Sequence, residues 1–85
     1  MERNISLQNG EQILAVFGDF DKNLKKIQTA FDVSIVNRGG DIKISGGETG
    51  TALAQKAIES LAKIFNTEGE ITDQAVNYTI DSVRD

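Results

Sequence analysis

Residues 18–46 read GDFDKNLKKIQTAFDVSIVNRGGDIKISG, and this stretch decides the fold. Leu24, Ile27, Ala30 and Phe31 recur at the spacing of one helix face, while Lys22, Lys25 and Lys26 fall on the other faces. Gly18 precedes this helix, and Asp19 or Asp21 is placed to cap it. From Val33 the apolar period becomes two: Val33 and Ile35 flank Ser34, and Ile42 and Ile44 flank Lys43. Arg38-Gly39-Gly40-Asp41 separates the two runs. Glycines suit a tight hairpin turn, where the central residues take positive φ. The segment therefore predicts a helix followed by a β-hairpin.

Upstream, Arg3 to Gln8 predicts a half-buried strand carrying Ile5 and Leu7. Glu11 to Phe17 predicts a short helix with Ile13, Leu14 and Phe17 inward, Asn9 as its cap and Gly18 as its stop. Downstream, Gly46-Gly47 breaks the strand, and Thr49 or Thr51 can cap a long helix. Its apolar face holds Leu53, Ala57, Leu61 and Phe65, widened by Ala54, Ile58, Ala62 and Ile64. Gly69 ends that helix, with Asn66 to Glu70 as a candidate hinge. A last helix over about 72–84 opens at Thr72-Asp73 and carries Val76, Thr79, Ile80 and Val83 on one face. The chain stops just after Val83, so this end reads as cut short. The expected class is α+β: strand, two helices, hairpin, long helix, then an extra C-terminal helix, with a three-stranded sheet packed on helices.

At 85 residues there is room for a single domain, residues 1–85, and one core. A hydrophobic fraction of 39% with 26% charged residues belongs to a globular chain. The absence of cysteine excludes disulfides and thiolate metal sites. The absence of histidine removes the commonest general base and zinc ligand. No apolar run is long enough to span a membrane, and no signal peptide opens the chain. A cytoplasmic protein with no membrane partner is expected, acidic overall at a net charge of −4.

The chain offers no catalytic constellation. Gly46-Gly47-Glu48-Thr49-Gly50-Thr51 lacks the spacing and the lysine of a phosphate-binding P-loop, and reads as a strand-to-helix turn. Asp19 and Asp21 are more simply charges at a helix N-terminus than ligands for a hard cation. No nucleophile, base and oxyanion site assemble, so no catalytic, cofactor-binding or metal residue is expected.

The order of elements and the local sequence resemble the K-homology (KH) fold in its βααββα form. Gly18 matches the first glycine of the KH Gly-x-x-Gly loop, and Leu24, Ile27, Val33, Ile35, Ile42, Ile44 and Gly46 match its apolar and glycine positions. The whole chain further resembles the N-terminal domain of the PhoH-like ATPases. Phe20, Asp21, Asn23, Leu24, Lys25, Ile27, Asn37, Arg38 and Gly39 carry that likeness, and GEITDQAVNYTI follows in the expected place. The resemblance implies a non-catalytic accessory module that positions an ATPase core or its RNA substrate. A P-loop ATPase domain would then lie beyond residue 85, with ATP and magnesium bound only there.

A KH-like loop implies single-stranded RNA as a partner, because its glycines let backbone and phosphates approach closely. Here Asp21 replaces the second glycine, and Asp19 and Asp21 put negative charge where a phosphate must pass. The offset is a local basic face of Lys22, Lys25, Lys26, Arg38 and Lys43 beside Gly18, with Phe20 to stack a base. Against this, lysines on a helix are usually a solvated face, and Phe20 is placed to staple onto Leu24. The alternative function is protein–protein interaction or homo-oligomerisation without nucleic acid. The downstream ATPase domain of the same chain is a partner under either reading.

Overall fold

Burial on one side of a three-stranded antiparallel sheet sets the architecture. A computed structural model describes residues 1–7 and 9–85. The strands are β1 (Glu2–Ser6), β2 (Val33–Arg38) and β3 (Asp41–Gly46). The helices are α1 (Gly10–Phe17), α2 (Lys22–Phe31), α3 (Glu48–Glu68) and α4 (Asp73–Arg84), with a 3₁₀ turn at Asp19–Asp21 between α1 and α2. This is the expected α+β order of strand, two helices, hairpin, helix and extra helix, consistent with a KH-like fold. The first strand ends at Ser6, and the Gln8 end of its expected span lies outside the described residues.

The spatial order is β1-β3-β2, so the third strand is central. Ile5 pairs with Ile42, and Ile35 with Ile44, aligning the apolar side chains on one face. Lys43 alternates to the opposite face with Ser34, Val36 and Ser45, as the period of two requires. The hairpin turn at Gly39 and Gly40 has φ 59° and 97°, the positive values of a two-residue hairpin loop. Gly40 also accepts the Leu7 amide, at 2.9 Å.

The core lies between the helices and this sheet face. Ile27, Ile42, Ile44, Ile58, Leu61, Val16 and Val76 are fully buried. Each such aliphatic side chain contributes about 1.5–3 kcal/mol on burial. The long helix turns Ala54, Ala57, Ile58 and Leu61 into the core, with Leu53 and Phe65 half-buried at its margins. It runs unbroken through Asn66 to Glu68, and Gly69 closes it at φ 79°, so the expected hinge shrinks to a short connection. The last helix packs Val76, Thr79 and Ile80 against this domain, capped by Thr72 Oγ1, which accepts the Ala75 amide at 3.1 Å.

Several local expectations are corrected. In α1 the buried residues are Gln12, Val16 and Phe17, whereas Leu14 is exposed. Gln12 Nε2 donates to Asn66 Oδ1 at 3.2 Å, which ties α1 to the end of α3 and rotates the helix. Neither Thr49 nor Thr51 caps α3, because Gly47 is the cap residue. Thr51 is buried one turn inside, bonding back to the Gly47 carbonyl at 2.9 Å and accepting from Arg3 Nε at 3.2 Å. Gln28 Oε1 accepts the Ile35 amide at 2.8 Å, so a side chain of α2 occupies part of the outer edge of β2.

Helix α3 approaches the end of α2 at Gly50, where an added Cβ would stand 2.5 Å from the Phe31 carbonyl oxygen. Gly50→Ala should therefore destabilise the fold by about 1–3 kcal/mol, the usual cost of overpacking. Gly10→Ala, with nothing within 4 Å of its added Cβ, should instead stabilise by roughly 0.4–1 kcal/mol. Urea denaturation of both variants checks the opposite signs.

Candidate nucleic-acid interface

The α1–α2 loop is built from unusual backbone. Gly18 ends α1 at φ 78°, its N–H bonding to the Leu14 carbonyl at 2.8 Å. A Cβ at Gly18 would stand 2.8 Å from Asn23 Nδ2, so this position needs glycine for both conformation and space. Phe20 (φ 54°) and Asp21 (φ 58°) then take left-handed conformations as well. For residues with a Cβ that region costs roughly 1–2 kcal/mol each.

The strain has two consequences. Asp21 occupies the cap position of α2 but makes no side-chain cap bond, because a capping residue needs extended backbone. Neither expected aspartate cap forms. Phe20 is 95% exposed, so it does not staple onto Leu24. A bulky aromatic residue held in left-handed backbone and pointing into water adds nothing to the core.

Asn23 is the loop residue that sequence reasoning left without a structural role. It is buried beneath Gly18, with Nδ2 3.5 Å from the Ala15 carbonyl and Oδ1 lacking a partner among the described residues. Its signal was available: Asn23 lies four and eight residues before Ile27 and Phe31, on the buried face of α2.

The basic residues do not form one face. Lys22, Lys25 and Lys26 lie on α2, on the helical side of the sheet, whereas Lys43 and Arg38 lie on the opposite sheet face. Strand alternation forces this, since burying Ile42 and Ile44 sends Lys43 outward. Lys43 Nζ pairs with Glu2 at 3.1 Å, and Arg38 stands opposite Asp41 in the hairpin register. On the helical side, Lys22 Nζ meets Asp73 at 3.1 Å and Lys26 Nζ meets Asn77 Oδ1 at 3.3 Å, both on α4. Gly18, Phe20 and Lys22 remain neighbours at the loop, and Lys25 has no ion pair or hydrogen bond among the described residues.

Among the described residues, no group of three or more acidic side chains could hold a metal ion. No helix there is long and apolar enough to cross a membrane.

No protein-family profile matches the chain. No solved structure matches it. The chain is 30% identical over 77 residues to a PhoH-like protein of Bacillus subtilis (strain 168), a match covering 91% of this chain. It spans 24% of the length of that relative. The similarity supports a PhoH-like segment.

The Lys22 contact titrates in a defined direction. The hydrogen bond from Lys22, then its charge, holds the Asp73 carboxyl below its ordinary 3.8, with Lys26 adding a smaller push. A lowered carboxylate pKa stabilises the fold above the ordinary value and loses that stabilisation as pH falls through the lowered one. The pair is half-exposed, so the contribution is small. NMR titration of Asp73 should give a midpoint below 3.8 that moves up toward it in Lys22→Gln.

Proposed function

We propose that this chain is a non-catalytic accessory module of a larger PhoH-like ATP-binding protein, and that it positions single-stranded RNA for the ATPase part of that protein. The observation that carries the reading is Phe20. It is fully exposed on the loop joining the first two helices of a βααββα scaffold, in a backbone conformation that disfavours it. Strain kept at a surface position that contributes nothing to the core points to a binding role. An exposed aromatic ring offers a stacking platform for a base, worth ~1–3 kcal/mol. The similarity over 91% of the chain to part of a PhoH-like protein supports the accessory role. Nucleotide chemistry then belongs outside these residues, because this chain has no phosphate-binding loop with a lysine.

A second reading has its own observation. No helix covers the outer sheet face, and its charges are nearly balanced: Glu2 with Lys43, and Asp41 opposite Arg38. Such a face suits another protein surface better than a polyanion. Light scattering separates the readings, since assembly through this face gives a concentration-dependent dimer, whereas the RNA reading needs only a monomer.

Fluorescence anisotropy with labelled oligouridylate RNA at low salt tests the main reading. Binding should weaken as salt is added. Phe20→Ala should lower affinity about fivefold or more, the low end of base–aromatic stacking. Asp21→Gly should raise it, because it removes a carboxylate and lets the backbone approach a phosphate. Absence of binding at low salt overturns the reading.

A further inference from the structure

Helices α2 and α4 run side by side in the same direction, because their partners climb together: Lys22 with Asp73, then Lys26 with Asn77. Beyond those contacts the seam opens into a groove of about 810 Å³ with Ala30 and Ile80 among its lining residues. Lys25 and Lys26 line it from α2, and Arg84 lines it from α4. The one carboxylate there, Asp81, accepts from Arg84 at 3.3 Å.

Three cations against one carboxylate leave this groove positive on a chain whose net charge is −4. Other basic groups named above are offset locally, Lys22 by Asp73 and Lys43 by Glu2. The unspent hydrogen-bond donors also gather here. Lys25 is exposed and unpaired among the described residues, Arg84 uses one corner of its guanidinium on Asp81, and Asn77 accepts Lys26 through Oδ1, leaving its NH₂ to donate.

We propose that this groove between α2 and α4 takes the phosphodiester backbone of single-stranded RNA, and that the Gly18–Asp21 loop does not. The inference rests on the RNA reading above and deepens it by dividing the work: Phe20 meets a base, and the groove neutralises phosphates. The loop is a poor phosphate site because Asp19 and Asp21 repel an anion and Asp21 carries a Cβ where close approach needs none. Within the groove, the carboxyl ends of both helices lie toward Arg84, and their dipoles disfavour an anion there. The phosphate therefore sits nearest the Lys25–Lys26 turn, with Arg84 offsetting the helix ends.

The test uses the intact chain and the same oligouridylate probe, with affinity followed by anisotropy and position by ¹H–¹⁵N NMR. Shifts should gather at Lys25, Lys26, Asn77 and Arg84 as well as at Phe20. Lys25→Glu with Arg84→Glu should lower affinity at least tenfold. Lys25→Gln with Arg84→Gln removes charge without reversing it, and guards against misfolding of the first pair. It should flatten the slope of log affinity against log salt by about 1.4, or roughly 0.7 per lost phosphate contact on a single strand. If RNA binds the wild-type chain and both double variants alike, with shifts confined to residues 18–22, the groove is overturned while the RNA reading stands. If RNA does not bind the wild-type chain at all, both fall together.

Discussion

Everything in this fold follows from burying one face of the central strand. Ile42 and Ile44 point into the helices and are almost completely shielded from water. Strand pleating then sends Lys43 to the other side, where it meets Glu2 across the sheet. The helices cover the apolar face alone, which leaves a polar sheet surface on one side of the molecule and a helical surface on the other. Cations on the hairpin and cations on α2 therefore never share a face. A net charge spread over the whole chain hides this division.

The extra helix decides what the helical surface can offer. By packing Val76 and Ile80 inward, α4 brings Asp73 against Lys22 and Asn77 against Lys26. The first contact neutralises the cation closest to the α1–α2 loop, and the loop itself carries two aspartates. Positive charge survives further along α2, where the seam widens. The loop keeps a different asset, an exposed aromatic ring in strained backbone. Separating ring and charge follows from where α4 lies and does not require a second glycine in the loop.

Much of the fold was legible because its signals are local. The change from helical to alternating period at Val33, the paired glycines of the hairpin and the stops at Gly18 and Gly69 placed all the elements in order. What failed depended on tertiary partners. Leu14 looked inward by spacing, but Gln12 anchors α1 to Asn66 and turns Leu14 to solvent. Asp21 had a capping side chain but lacked the extended backbone that capping needs. Thr51 had the right chemistry for a cap, yet Arg3 and the Gly47 carbonyl engage it inside the helix. The candidate site was legible in its residues and not in its grouping, because pairing between α2 and α4 joins positions about 50 residues apart, as in Lys26 with Asn77 at a separation of 51.

The account depends most on α4 being part of the folded unit and lying on α2. An isolated helix of this length is marginal in water, so its protection must come from packing. Native-state hydrogen exchange on the intact chain measures this directly. The account requires the amides of Val76, Thr79 and Ile80 to exchange with free energies close to those of Ile58 and Leu61 in the core. Exchange of these α4 amides at unfolded rates, while α3 remains protected, would contradict it.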